Sequence, residues 1–218
     1  MKRIILSLLS ILTVLFIGYR AQAQGCVAIR TTGGFAAANA SSHADTVPTN
    51  WSLNVNNRYF RSFRHFVGTT EQKQRLEEGS EVINYAYAAD FALTRNINRF
   101  WSITVDLPII ANTRSSLYEH GGKTRHSTKS FGLGDIRVAA YRWLLDPARM
   151  PKGNIQVGLG IKLATGDYKY QDFFYTSDTT KALGPVDQSI QLGDGGTGFT
   201  TEINAYYNFN RHIGVYGN

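Results

Sequence analysis

Apolar and polar residues alternate in strict period two through six stretches of this chain and into the start of a seventh. The clearest stretch runs from Asn154 to Thr165. There Ile155, Val157, Leu159, Ile161 and Leu163 interleave with Asn154, Gln156, Gly158, Gly160 and Lys162. A strand turns successive side chains to opposite faces, so each stretch has one apolar side and one polar side. Two architectures accept such ribbons. In a soluble sandwich the apolar side meets a shared protein core; in a membrane barrel it meets lipid, and the polar side faces a lumen.

The first residues point to export. Lys2 and Arg3 precede an apolar run from Ile4 to Ile17, and Ala21, Gln22 and Ala23 supply a small-x-small cleavage pattern. That run falls short of the ~20 residues a spanning helix requires. Residues 1–23 are therefore expected to be a cleavable signal peptide, leaving no transmembrane helix in the mature chain. Losing Lys2, Arg3 and Arg20 lowers the formal charge from +7 to +4, so the basic balance gives no reason to invoke nucleic acid. Cys26 is the only cysteine, which excludes an intramolecular disulfide. It lacks the aliphatic residue that lipidation favours three positions upstream, and reads as an inert member of the N-terminal arm. Residues 24–50 are rich in Ala, Gly, Ser, Thr and Asn without periodicity. They read as a flexible periplasmic arm or, alternatively, as a plug tucked into a barrel mouth.

From Trp51 onward the strands follow one another. The first sets Trp51, Leu53, Val55 and Tyr59 against Ser52, Asn54, Asn56 and Arg58. The second spans about Val82 to Thr94, and the third follows from Trp101 to Ile109 across a turn at Asn96 and Asn98. Asparagine there is expected to supply the left-handed conformation of a tight turn. The fourth strand runs from Leu133 to Leu145, the fifth from Asn154, the sixth from Thr197 to Phe209, and a seventh begins at His212. Long polar connections at 67–81, 111–131 and 166–196 fall at one end of this meander. The short ones, near Asn98, Asp146 to Gly153 and Asn208 to Arg211, fall at the other. Short turns at one end and long loops at the other, with strands long enough for a tilted crossing, are the pattern of outer-membrane barrels.

The expected fold is all-β: an antiparallel up-and-down transmembrane β-barrel over 51–218. Only 18% of residues are charged while Tyr and Phe number 12 each, a balance that suits aromatic girdles at two membrane surfaces. Such barrels favour an even strand count and a closing strand with a terminal aromatic residue. Seven strands ending at Gly217 and Asn218 lead us to expect a truncated chain whose complete barrel holds more.

Seven charged residues share the polar side: Arg58, Asp90, Asp106, Asp135, Arg137, Lys162 and Glu202. A cationic member facing lipid at mid-bilayer would cost ~2–4 kcal/mol, so their placement opposite the apolar stripe implies a hydrated or ion-paired interior. Two readings stand: charges paired across neighbouring strands, or the lining of a conduction path. Other motifs carry less. Glycine-rich GLGD at 132–135 and GLG at 158–160 do not sit between a strand and a helix, so a nucleotide loop is rejected. Gly on a strand's inward side more simply lets loops or solute approach the wall. His43, His65, His120, His126 and His212 show no metal-ligand spacing, and no Ser-His-Asp grouping lies on a nucleophile elbow.

The runs GLGDIRVAAYRWL (132–144) and GLGIKLATGD (158–167), with GDGGTG (193–198) and GVYGN (214–218), resemble the outer-membrane β-barrel family labelled for a phenol-degradation meta-pathway. Ala164 stands where that family usually has Pro. The resemblance implies kinship with fatty-acid and aromatic-hydrocarbon channels and the passage of small hydrophobic molecules. It carries over no catalytic residues, because the family label reflects gene context more than chemistry. The expectation is a passive outer-membrane channel, not an enzyme, needing no cofactor and partnered by membrane lipid and a small apolar solute. The alternatives are a non-conducting structural or adhesive barrel whose external loops bind a partner, and a barrel enzyme acting on lipid.

Overall fold

Backbone pairing follows the alternation. The computed structural model describes residues 51–218 apart from 122–123, 178 and 211. The expected signal peptide, the arm or plug over 24–50, and Cys26 lie outside the described residues. In chain order the elements are β1 (Trp51–Ser62), β2 (Phe66–Val67), β3 (Thr70–Glu71), the single turn α1 (Gln74–Glu77), β4 (Ile83–Asn96), β5 (Trp101–Ser116), β6 (His126–Leu133), β7 (Arg137–Trp143), β8 (Gly153–Lys162), β9 (Gln171–Tyr175), β10 (Lys181–Pro185), a 3-10 turn (Gln188–Ile190), β11 (Gly198–Asn208) and β12 (Gly214–Gly217). One antiparallel sheet in the order β1-β4-β5-β7-β8-β11-β12, with β6 also paired to β5, curls into a half-barrel. β2–β3 and β9–β10 are separate small hairpins.

The sheet is inverted with respect to a water-soluble protein. Among the described residues, fifteen polar or charged residues are buried against ten hydrophobic ones. The buried set includes Thr94, Ser102, Thr104, Asn112, Thr128, Ser130, Asn154, Gln156 and Asn204, all at inward positions of the main sheet. The opposite face carries its apolar residues in the open, Leu159 at 66% and Phe199 at 91% exposure.

Three details depart from the sequence reading. First, the hairpin asparagines do not adopt the left-handed conformation, since no described non-glycine residue has positive φ. Their side chains make the turn instead. Asn98 Oδ1 accepts from the backbone N–H groups of Phe100 and Trp101, each at 2.9 Å, and Asn210 Oδ1 accepts from those of His212 and Ile213, each at 2.8 Å. Second, 111–131 is not all loop. β5 continues to Ser116 and pairs with β6 from Ile109–Leu133 up to Ser116–His126. There the outward residues become Thr113, Ser115, Ser127 and Lys129, so the contrast between faces fades while the strand continues. Third, the loop over 166–196 contains β9, β10 and the 3-10 turn.

The expected fourth strand, Leu133 to Leu145, is β7, which a bulge joins to β6. Three steps along β5, from Asp106 to Ile109, face four on the partner, from Leu133 to Arg137. The extra residue switches the inward positions from even numbers in β6 to odd numbers in β7. Its backbone groups are satisfied locally. Gly134 N–H donates to the Pro108 carbonyl at 2.8 Å, and Ile136 N–H donates to the Thr165 hydroxyl at 2.8 Å. That hydroxyl in turn donates to the Gly134 carbonyl at 3.0 Å.

Gly158, inward on β8, has a packing reason. The Tyr141 ring from β7 lies over it, and a Cβ there would come within 2.6 Å of Tyr141 Cδ1. The bare backbone lets the Tyr141 hydroxyl cross β8 and donate to Glu202 Oε2 of β11 at 2.8 Å. We expect Gly158→Val to displace the ring and lower stability by about 1–3 kcal/mol, read from the urea midpoint of the folded protein in detergent. Gly158→Val with Tyr141→Ala should recover part of that loss.

Candidate functional site: the polar face of the sheet

All seven charged residues singled out from the sequence lie on the covered, polar face, and most of them gather in two groups. In the first, Asp106 of β5 sits opposite Arg137 of β7 in register. The Arg137 guanidinium reaches the Glu202 carboxylate of β11 across β8, where Gly158 and Gly160 offer no side chain to intervene. Both partners are mostly shielded, with side chains 13% and 19% exposed. In the second group, Lys162 at the end of β8 binds Asp135 Oδ2 at 3.3 Å and also the carboxylate of Asp194. Asp135, at the bulge, further accepts the Gly166 N–H at 2.9 Å and the Asp194 N–H at 3.3 Å. Hydrogen bonding from the Lys162 ammonium, and then from the Gly196 N–H, holds the Asp194 carboxyl below its usual range. Arg58 and Asp90 lie on the neighbouring strands β1 and β4, where Asn56 pairs with Asp90 and Arg58 with Ala88.

Sequence reading missed Arg114. It continues the inward series of β5 through Asn112, but lies where the outward contrast has faded. Its guanidinium binds Glu119 Oε1 at 2.7 Å, Asn84 Oδ1 at 3.1 Å, Ser189 Oγ at 3.2 Å and Asp187 Oδ2 at 3.3 Å. Uncharged pairs fill the remaining wall: Thr94 with Thr104 at 2.8 Å, and Asn204 Nδ2 donating to Gln156 Oε1 at 3.4 Å. The face thus offers a chain of fixed dipoles and paired charges. Among the described residues, no three or more His, Cys, Asp or Glu side chains gather to hold a metal ion.

At the long-loop end an aromatic cluster joins His120 and His126 to the β9–β10 hairpin. His126 stacks on Tyr175 with ring centroids 3.8 Å apart, and His120 stacks on Phe174 at 5.4 Å. His120 is 1% exposed, and its Nδ1 accepts the Tyr175 N–H at 3.2 Å. Burial, and then His126 beside it, pull the His120 imidazole below its usual value; Glu119 and Asp172 pull the other way. The Lys181 ammonium lies over the far partner of the cluster, 4.5 Å from the Tyr175 ring centroid.

No family model and no curated protein matches this chain. The resemblance drawn over 132–167 and the two short runs beyond it therefore rests on those residues alone.

Two outcomes are expected. A double-mutant cycle on Arg137→Ala and Glu202→Gln should return a coupling of about 1–3 kcal/mol in chemical unfolding, because each charge shields the other from an unpaired, half-dry site. The second concerns His120, which binds its proton less readily folded than unfolded. Its contribution to stability is therefore complete above the ordinary value of 6.5 and shrinks as pH falls below it. The protection of the Tyr175 amide from exchange, measured against the intrinsic rate at each pH, should drop between pH 7 and pH 5, and His120→Gln should flatten that dependence.

Proposed function

We infer that this chain is an outer-membrane β-barrel protein that forms a passive channel for small, largely apolar molecules. The observation that carries the reading is the inverted burial. A water-soluble domain hides its apolar stripe, and monomers rarely expose a contiguous apolar patch beyond a few hundred Å². Here Leu53, Val55, Leu93, Ile103, Leu107, Ile109, Ile155, Leu159, Ile161 and Ile203 are all open on one face. Hydrocarbon is the medium in which that face costs nothing.

The distribution of aromatic residues supports the same reading. At the short-turn end the outward face presents Trp51, Trp101, Tyr207 and Phe209, with Arg95 at 5.2 Å from the Trp51 ring and Arg142 at 5.7 Å from the Trp101 ring. Toward the long loops it presents Tyr59, Tyr85, Tyr87 and Phe131, with Tyr59 directly opposite Tyr87. Along β4 the eight steps from Tyr87 to Arg95 span about 27 Å at ~3.4 Å each, and nine residues match a tilted strand crossing of the hydrocarbon layer. Aromatic rings with arginines belong at the two interfaces of such a layer. The single amide inside the band, Asn57, is satisfied by the Tyr87 hydroxyl at 2.6 Å.

Transport follows from the other face. Diffusion down a gradient needs a polar wall, paired charges that hold their geometry, and neither cofactor nor catalytic group. The passage of small apolar or aromatic solutes is taken from the resemblance over 132–167. Signal-directed export and location in the outer membrane of a Gram-negative cell complete the proposal.

Planar-bilayer recording of the detergent-purified protein tests it. Discrete conductance steps are expected, with unitary amplitude altered at least twofold by Arg137→Glu or Lys162→Glu. A barrel that inserts but never conducts would favour the non-conducting adhesive reading. A polypeptide that stays monomeric and dissolved without detergent would remove the membrane reading altogether.

A further inference from the structure

We propose that residues 186–194 form a fixed internal constriction that sets the size and charge of the solutes admitted, an inference that rests on the channel reading. The sequence suggests a long external loop here, yet the chain returns to the polar face and is fastened to it at three places. Arg114 of β5 holds the Asp187 carboxylate and the Ser189 hydroxyl. Asn112 Nδ2, at 3.2 Å, and the Ser130 hydroxyl both donate to the Ile190 carbonyl. At the bulge, Asp135 accepts the Asp194 N–H, and Lys162 ties the Asp135 and Asp194 carboxylates together. Every wall residue named occupies an inward position on its strand or, for Asp135, the bulge. The segment therefore lies on the inner side.

Packing gives the same answer. Val186, Ile190 and Leu192 are 4%, 1% and 4% exposed, three of the ten buried hydrophobic residues among those described. The inner face that they join carries Asn112 and Ser130 beside inward apolar residues such as Ile110. Leu192 occupies the space over Gly132, where a Cβ would stand 2.8 Å from Leu192 Cδ1. The segment is also braced within itself: Gln191 Nε2 donates to the Val186 carbonyl at 2.7 Å, and Asp187 Oδ1 accepts the Ser189 N–H at 2.9 Å. A solvated outer loop requires none of these bonds.

The consequence is a narrower lumen with a defined sign. A segment packed on a sheet occupies roughly 10 Å of depth, a large share of a small barrel's interior. Of the charged side chains at its clamps, Arg114 and Lys162 are 14% and 25% exposed, whereas Asp187 and Asp194 are 37% and 65% exposed. The constriction therefore presents carboxylates to the passing solute. It favours small neutral and cationic molecules and turns anions away.

The test uses the full chain in planar bilayers, with single-channel recording in potassium chloride and graded polyethylene glycols as size probes. Replacing 186–192 by a Gly-Ser stretch of equal length should raise unitary conductance at least twofold and admit larger polymers. Arg114→Gln with Asp135→Asn, which loosens two clamps and keeps the segment, should give an intermediate rise. Asp187→Asn with Asp194→Asn should lower the potassium-to-chloride permeability ratio at least twofold. A replacement variant that still shows a heat-modifiable folded band, yet keeps the wild-type conductance and polymer cut-off, overturns the proposal. Should that variant not fold, the clamp variant decides, and wild-type behaviour from it overturns the proposal equally. A silent wild type with a conducting replacement variant marks the segment as a complete seal and overturns the constriction, since a sealed barrel admits no solute. Silence from both sinks the channel reading and the constriction together, which distinguishes that failure from the failure of the constriction alone.

Discussion

The antiparallel hydrogen-bond ladder of one curled sheet is the constraint from which the rest follows. Once β1, β4, β5, β7, β8, β11 and β12 pair in register, the side of every strand residue is fixed by its parity. Asp106 must face the same way as Arg137, and Leu107 the opposite way. A slip of one residue anywhere would exchange carboxylates for leucines across the whole sheet. In the proposed lipid setting the ladder also leaves no backbone N–H or C=O between paired strands without a partner, which hydrocarbon would not forgive.

The polar face is held by pairs that reach past their nearest neighbours. Arg137 and Glu202 belong to strands separated by β8, and they meet because Gly158 and Gly160 place no side chain between them. Tyr141 lies in that gap and joins the pair through its hydroxyl. Glycines that read from sequence as room for a loop or solute are, at this place, room for a tyrosine ring and an ion pair. The two readings weighed for the charged set are thus not exclusive. Arg137 pairs with Glu202 and Lys162 with Asp135, and they do so on the face proposed as the wall of the channel.

The bulge at 134–136 links the sheet to the segment that lies upon it. By inserting one residue it shifts the phase of the strand and places the Asp135 carboxylate where it can take N–H groups from Gly166 and Asp194. Pro108, with no N–H of its own, lies in the part of β5 where the ladder is interrupted, and Thr165 supplies the missing partners. Asp135 and Lys162, singled out as lining residues, are in this arrangement anchors for 186–194. Solute would meet the carboxylates of that segment in addition to the wall.

Sequence alone determined the central parts of β1, β4, β5, β7, β8 and β11, their two faces, and the inward side of all seven charged residues. Period-two alternation is a local property, and it survives in one dimension wherever one face is apolar and the other polar. It failed where that contrast disappears, at the upper parts of β5 and β6 with Arg114 among them. It also misjudged how asparagine makes a hairpin turn, by side-chain acceptance instead of a left-handed backbone. Tertiary structure alone decided that Arg137 meets Glu202, that Gly158 carries Tyr141, and that 186–194 returns to the inner face. Those contacts join residues dozens of positions apart, and only the curvature and register of the curled ladder bring such residues within hydrogen-bond reach.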